Sequence, residues 1–541
     1  MVKVVTVAEM RAIEKEADAH GFTYMQMMET AGLGLAEVVQ SLPLFQEERR
    51  VIGLVGPGNN GGDTLVALSS LAGSGWITVA YLVRQRAATD PLIQHAATAG
   101  TQVISREQDP DFSLLDEALE NSSILLDGIL GTGFQLPLRE DISSLLAHIK
   151  EFQPLPRVVA VDCPSGMDCD SGEAAMECLP ADMTVTMAAV KAGMLKFPAF
   201  DLVGDLEVVG IGVPVDLPAW QQVRTEMVTP GWVAAHLPPR PRSAHKGTFG
   251  TVLIAAGSVN YTGAVYLAGK AAYRAGTGLV RLAVPAPLHA VLAGQLPEAT
   301  WLLLPHESGV IAAGASDVLL QELENVSAVL TGPGLGLENT TLEFLRHFLQ
   351  AKQQKRSRGG MGFMAANQVS ASERNDTLPP FVLDADGLKL LAKIPGWPAL
   401  LEKTAVLTPH PGEMSVLTGK PVIEIQADRQ EIARQYSALW GHVVVLKGAV
   451  TVVAAPDGAC SLIPIATPAL ARAGTGDVLA GIIAGLRAQG MEAYQAACAG
   501  AWIHARAGLI AAEETGSPAS VLASDVLECI PQVFQELQFL S

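Results

Sequence analysis

Apolar residues fall into two patterns that alternate along the chain. Short continuous runs, VIGLV (51–55), WITVAYLV (76–83), TQVIS (101–105), SILLDG (123–128) and VVAVD (158–162), read as strands. Helix-like stretches such as 90–99 and 139–152 lie between them. Strands apolar on both faces and separated by helices imply a parallel sheet covered on both sides. VVGIGVP (208–214) leads into a proline-rich stretch ending LPPRPRSAHKG (237–247), and then a second series begins. It comprises TVLIAAGS (251–258), LVRLAVP (279–285), AVLTGPG (328–334), FVLDADG (381–387), AVLTPH (405–410) and VVVLKG (443–448). A chain of 541 residues is too long for one core, so two α/β domains are expected, 1–222 and 223–541. Residues 353–378, rich in glycine and polar side chains, read as a flexible insertion.

The composition, 49% hydrophobic and 17% charged, is globular and excludes large-scale disorder. A net charge of −19 argues against a nucleic-acid partner. It leaves room for anionic small molecules held locally at helix starts. Six cysteines without a C-x-x-C pair give no disulfide framework and no zinc site, and fit a reducing cytoplasm. The chain opens on an amphipathic helix without the apolar core of a signal peptide. The uncharged stretches 64–83 and 247–269 are broken by glycines and polar residues, so no membrane span is expected. The apolar helices are compatible with self-association, and a homo-oligomer is expected.

Polar, glycine-containing strand ends carry the chemistry of the first half. GPGNNGGDT (56–64) follows the strand VIGLV and leads into a helix expected to begin near Leu65. Its glycines free backbone N–H groups, and Asn59, Asn60 and Asp63 can hold sugar hydroxyls or a cation. LLDGILGTGFQLPLRE (125–140) places Asp127 at a strand end, and VVAVDCPSGMD (158–168) does the same with Asp162 and Ser165. In doubly wound sheets such ends converge on one crevice. The bland reading of Asp162 and Ser165 is helix capping.

GNNGGD, DGILGTGF and DCPSGMD, with MMETAG (27–32) and TVTMAAVKAGMLKFP (184–198), closely resemble the NAD(P)H-hydrate epimerase domain over about residues 1–215. The resemblance implies a doubly wound, Rossmann-like α/β/α sandwich that binds hydrated NADH or NADPH and potassium. On it, Asn60, Asp127 and Ser165 would ligate the potassium ion. Asn59, Asn60, Gly61, Gly62, Asp63, Gly131, Thr132, Gly133, Phe134, Gln135, Leu136, Pro137 and Asp162 would contact substrate, with Asp162 the acid/base. Thr64 stands where the family has a further glycine, and a helical conformation is expected for it.

The second half carries the sharpest motif, AGTGDVLAGIIAGL (473–486). Gly474, Thr475 and Gly476 expose backbone N–H groups at a helix head, a nest for a transferring phosphoryl group. Asp477, in the first turn, can take a proton from a hydroxyl aimed at that group. The competing reading is a glycine-rich cap with an aspartate favoured by the helix dipole. HKGTFGTVLIAAGSVNYTGA (245–264), LTGPGLG (330–336), LDADGLKLL (383–391), LTPHPGEM (407–414) and VVVLKGAVT (443–451) add further polar strand ends. His410, in a His-Pro turn, has a structural reading of its own.

This set resembles the ADP- or ATP-dependent NAD(P)H-hydrate dehydratase domain of the ribokinase-like superfamily, from about residue 225 to 540. The resemblance implies a ribokinase-like α/β fold, with phosphorylation of the ring hydroxyl followed by loss of phosphate. Asp477 would be the base, and Ala264, Gly336, His410 and Asp477 would contact substrate. Lys447, Gly448, Ala449, Val450, Thr451 and Gly476 would bind the adenine nucleotide, with magnesium on its phosphates and ADP as donor. Val450, Lys389 and Thr467 depart from the family pattern at KGAVT, LDADGLK and TPALA, which bears on nucleotide affinity. The alternatives are a small-molecule kinase of the hydroxymethylpyrimidine or sugar type, and a non-catalytic N-terminal binding module.

Overall fold

The computed structural model describes residues 1–540 apart from 46–47, 88, 359–377 and 402. The chain divides into two compact units, Val2–Thr225 and Glu226–Ser541. The first contains β1 (Val2–Val5), α1 (Val7–Ala19), α2 (Tyr24–Ser41), β2 (Arg50–Val55), α3 (Asn59–Gly73), β3 (Ile77–Leu82), α4 (Pro91–Ala99) and β4 (Gln102–Ser105). It continues through α5 (Ser113–Glu120), β5 (Ile124–Gly128), α6 (Glu140–Glu151), β6 (Arg157–Val161), β7 (Met183–Met187), β8 (Val190–Lys191), β9 (Asp205–Val209) and α7 (Pro218–Gln222). Seven of these strands form a sheet of order β4-β3-β2-β5-β6-β7-β9, every neighbouring pair parallel. The direction of winding changes between β2 and β5, and a ligand crevice forms at such a switch point.

Strand alternation divides the sheet's residues between two cores. Val51, Val55, Leu126 and Val161 pack with α1, α2 and α3 through residues such as Ile13, Leu35 and Leu68. Ile52, Leu54, Leu125 and Ala160 pack on the other face against Leu115 of α5 and Leu145 and Ile149 of α6. A capping box starts α1: Thr6 Oγ1 accepts the Glu9 N–H at 3.2 Å, and Glu9 accepts the Thr6 N–H at 2.7 Å.

Helix α3 begins at Asn59, six residues before the start expected near Leu65. GNNGGD is therefore its opening turn and a half. Its glycines serve close packing: a Cβ on Gly61 would stand 2.0 Å from the Gly56 carbonyl oxygen, and one on Gly62 2.6 Å from Met28 Sδ. Thr64 is helical, as expected, and its hydroxyl donates to Asn60 O at 2.8 Å.

In chain order the second unit runs β10 (Thr225–Met227), α8 (Pro230–His236), β11 (Thr251–Ala255), α9 (Thr262–Arg274), β12 (Leu279–Pro285), α10 (Ala286–Leu292), β13 (Thr300–Leu304), β14 (His306–Glu307) and β15 (Val310–Ile311). Next come α11 (Ala315–Gln321), β16 (Ala328–Thr331), α12 (Asn339–Arg358), β17 (Phe381–Leu383), α13 (Ala385–Leu391), β18 (Val406–Leu407), α14 (Pro411–Thr418), α15 (Val422–Ala427) and α16 (Arg429–Trp440). The chain ends with β19 (Val443–Leu446), β20 (Val452–Ala454), β21 (Cys460–Leu462), α17 (Thr475–Ala488), α18 (Ala493–Thr515) and α19 (Ala523–Gln538).

Its sheet runs β13-β12-β11-β16-β17-β18-β19-β20-β21, parallel through β19 and antiparallel from there to β21. The switch point lies between β11 and β16. Val252, Leu330, Val382 and Val445 on the sheet bury against α9, α17, α18 and α19. Of the insertion expected at 353–378, residues 353–358 continue α12, and 359–377 lie outside the described residues. The antiparallel hairpin β20-β21, with β10 beyond it in the sheet, was not expected from the sequence.

Candidate active sites

In the first unit the switch point opens into a cavity of about 770 Å³. Asn59, Asn60 and Asp63 reach it from α3, Gly131 to Gln135 and Pro137 from the loop after β5, and Asp162 from the end of β6. Gly61 and Gly62 are buried in the packing beneath, and Leu136 is half-buried.

Behind the cavity, Asp127 and Ser165 are fully buried. Asp127 accepts the Ser165 hydroxyl at 2.6 Å and the Ser165 N–H at 2.8 Å. Burial raises its pKa, and these neutral donors, with the Ile129 N–H, pull the other way. No lysine or arginine is paired with it among the described residues, so a buried carboxylate stands without a counter-charge. Asn60 is anchored alongside, its amide donating to Leu130 O at 2.8 Å and Val161 O at 2.6 Å. This oxygen-rich setting fits a monovalent cation.

Asp162 is held at φ 63°, a left-handed conformation that aspartate tolerates. Its Oδ1 accepts the Met187 N–H at 3.0 Å, the Thr186 hydroxyl at 3.2 Å and the Lys191 ammonium. Lys191 is 1% exposed and also donates to Thr186 Oγ1 and Met187 O, both at 2.9 Å. Glu14 and Arg11, on α1, line the same cavity. Sequence reasoning gave no role to Lys191, Glu14 or Arg11. Lys191 lies inside the quoted run TVTMAAVKAGMLKFP, but its partner is 29 residues earlier.

In the second unit, Gly474 takes φ 90° as the N-cap of α17, a conformation costly for any residue with a Cβ. It sets Thr475, Gly476 and Asp477 as the first three residues of the helix. Burial, and then the charge of Asp384, push the Asp477 carboxyl up to about 7, with Lys447 opposing. Lys447, at the end of β19, lies 2.6 Å from Asp384 Oδ1 and 3.7 Å from Glu413 Oε2. Thr408 donates to the same Asp384 oxygen at 2.7 Å. Asp384 Oδ2 is turned to the helix start, 3.7 Å from where a Cβ on Gly476 would stand, and Lys447 Nζ is 3.4 Å from that point. A carboxylate oxygen facing the nest suits a divalent cation carried on phosphates.

A Cβ on Gly448 would stand 2.5 Å from the Arg429 guanidinium and displace it from its present bonds. That guanidinium donates to Leu446 O and Ala449 O, each at 2.9 Å, and so ties α16 to the loop carrying Lys447 through Thr451. Val450 takes φ 54°, where a β-branched side chain is strained, so the family's glycine there has a physical reason.

His410 Nδ1 caps α14, accepting from Gly412 N at 3.0 Å and Glu413 N at 3.3 Å. Its other nitrogen is 3.3 Å from Glu413 Oε1. Gly336 N donates to Asp386 Oδ2 at 3.1 Å, and Lys389 is 3.1 Å from the other Asp386 oxygen. Ala264 abuts Gly334 across the switch point. Asp384, Glu413 and Arg429 had no role in the sequence reading, although the first two lie inside LDADGL and TPHPGEM.

Comparison with known proteins gives a match to each half. A family model described as NAD(P)H-hydrate dehydratase matches residues 252–354 and 360–532, and one described as YjeF-related protein N-terminus matches 25–193. A bifunctional NAD(P)H-hydrate repair enzyme of Moorella thermoacetica is 35% identical, covering 99% of this chain and 97% of that one. Its counterpart in Escherichia coli is 33% identical over 97% and 92%. A crystal structure of an ADP/ATP-dependent NAD(P)H-hydrate dehydratase from Bacillus subtilis, co-crystallised with ATP and magnesium, is 31% identical with a TM-score of 0.46, covering 58% of this chain and 98% of that one. The chain belongs to the family of bifunctional NAD(P)H-hydrate repair enzymes.

Proposed function

We infer that the chain restores hydrated NADH and NADPH with two separate sites. Residues 1–222 interconvert the R and S epimers, and residues 223–541 dehydrate the S form with ADP, giving AMP and phosphate. The placement of Asp477 on the first turn of α17, facing the Lys447–Asp384 pair, carries the dehydratase reading. There Asp477 takes the proton of the ring hydroxyl as its oxygen attacks the terminal phosphoryl group. The N–H groups at the head of α17 and the Lys447 ammonium hold the phosphates. The ring nitrogen's lone pair then expels phosphate and the conjugated dihydropyridine re-forms. Magnesium on the phosphates would supply charge neutralisation, with Asp384 and Asp477 the carboxylates placed to hold it. Ala264, Gly336 and His410 position the nicotinamide side, and Lys447 to Thr451 with Gly476 the nucleotide.

In the first unit Asp162 is the group for proton transfer at the hydrated ring carbon. Asn60, Asp127 and Ser165 would hold potassium, which would offset the burial of the Asp127 carboxyl. The free, buried cysteines suit a reducing cytoplasm, and no described helix is long and apolar enough to cross a membrane. A homo-oligomer is the assembly we expect, and sedimentation equilibrium tests it.

The deciding experiment gives the purified chain an epimer mixture of hydrated NADH with magnesium and either ADP or ATP. Reduced-nicotinamide absorbance is followed. Complete ADP-dependent recovery is expected, faster in potassium than in sodium buffer. Recovery halting at one epimer would remove the epimerase reading, and a stable phosphorylated product would favour a small-molecule kinase.

A further inference from the structure

Asp63 and Asp162 reach one cavity from different elements, and their surroundings differ in kind. Asp162 is locked as an acceptor by a lysine, a hydroxyl and an N–H. Asp63, 7% exposed, has neither an ion-pair partner nor a hydrogen-bond donor to its carboxyl among the described residues. The charged groups around Asp63 are Asp162, Lys191 and Glu14, and Lys191 is already engaged by Asp162. Arg11 moderates Glu14, which is half-buried, while Arg84 at the cavity rim is committed to Asp141 at 2.7 Å. Burial first, and the Asp162 charge second, hold the Asp63 carboxyl well above the ordinary range. A carboxyl fixed as an acceptor and one that keeps its proton, facing one cavity, form an acid and base pair.

We propose that Asp63 is the second proton-transfer group of the N-terminal site, giving a proton to the substrate while Asp162 takes one. The proposal rests on the epimerase reading above. The hydrated ring carbon bears a hydroxyl and the ring nitrogen. Asp162 removes the hydroxyl proton, the oxygen's electron pair becomes the carbonyl bond, and the carbon–nitrogen bond breaks. Its electrons stay on nitrogen, which takes the Asp63 proton. The freed aldehyde rotates, nitrogen attacks its other face, Asp63 recovers its proton from nitrogen, and Asp162 returns its proton to the oxygen. Both groups end as they began, so no further reactant is needed.

The test uses the full chain with magnesium, ADP and an epimer mixture of hydrated NADH. The fast phase consumes one epimer, and the slow phase reports epimerisation. Asp63→Asn is expected to slow that second phase about 10²–10⁴-fold, leave the first phase intact and still bind hydrated NADH by calorimetry. Asp63→Glu should recover part of the rate. Wild type should lose its second phase at alkaline pH, where Asp63 gives up its proton, and that limb should move in Asp63→Glu. A second phase at wild-type rate in a binding-competent Asp63→Asn would overturn the proposal while leaving the epimerase reading intact. So would loss of the alkaline limb in Glu14→Gln instead. A wild-type chain without any second phase above the uncatalysed rate would remove the epimerase reading itself.

Discussion

Replacing Lys447 with methionine removes the one cation that the described structure places against two buried carboxylates. Asp384 is 1% exposed and Glu413 is 3%, with the lysine 2.6 and 3.7 Å away. Deleting one partner of a buried ion pair costs about 3–5 kcal/mol, because the remaining charge is stranded. The Lys447 side chain keeps 18% exposure, which lets water in and places the cost near the lower end, about 3 kcal/mol. Each kcal/mol moves the melting point of a large unit by about 2 °C, so a fall of about 6 °C is expected. The assay is calorimetry on the full chain, read on the transition that ADP raises. Asp384→Asn added to Lys447→Met should restore part of the loss, since a neutral amide needs no cation. Burial opposes the lysine's charge, but Asp384, Glu413 and Asp477 outweigh it and raise its pKa. Its contribution is therefore constant below the unfolded value of 10.5 and is lost only as pH rises through the folded one. A Lys447→Met melt within 1 °C of wild type, or a double variant below both singles, would refute the reasoning.

The other predictions draw on different features. Asp477→Asn should abolish dehydration; because its folded pKa is raised to about 7, ionising it costs stability progressively from pH 3.8 to about 7. The variant should thus gain melting temperature at pH 8 but not at pH 4, and equal shifts at both would count against a desolvated carboxyl. The same shift makes the wild-type dehydration rate climb with pH through about 7. His504 is buried in α18 and burial lowers its pKa to about 4, so stability should fall as pH drops from 6.5 toward 4. His504→Phe should flatten that dependence in urea midpoints, and an unchanged slope would assign the acid loss elsewhere. A Cβ on Gly128 would stand 1.9 Å from Thr64 Oγ1. Gly128→Ala should therefore unfold the first unit in the wild-type chain and be tolerated with Thr64→Gly, and equal damage in both backgrounds would show that the clash is not the cause.

The strands were legible because parallel strands buried on both faces leave continuous apolar runs that local reading can find. The head of α17 was legible for a related reason: Gly474 through Asp477 make their geometry within four residues. The start of α3 was misplaced because Gly61 and Gly62 look like loop punctuation, whereas Gly56 and Met28 demand them as close-packing helix residues. Lys191 and Arg429 stayed hidden because their partners lie 29, 17 and 20 residues away, distances that only the sheet closes. Thr64 fits where a glycine is expected because Gly53 and Gly128 on the neighbouring strands leave room for its methyl and hydroxyl.

Helix α17 has Asp477 at one end and an almost wholly buried body from Val478 to Ala488. A substitution that shifts the Asp477 end must also displace the unit's core, so the position of that carboxyl is tied to the stability of the whole unit. The loop Lys447–Thr451 is held at its ends, by the Lys447–Asp384 pair and by the Arg429 guanidinium on Leu446 O and Ala449 O, while Gly448 and Ala449 between them are exposed. If that loop binds the nucleotide as proposed, substitutions at Ala449 and Val450 alter the fit to the donor while leaving Lys447 and the head of α17 in place. Val450, accommodated at the cost of backbone strain beside an intact tetrad, is a substitution of that kind.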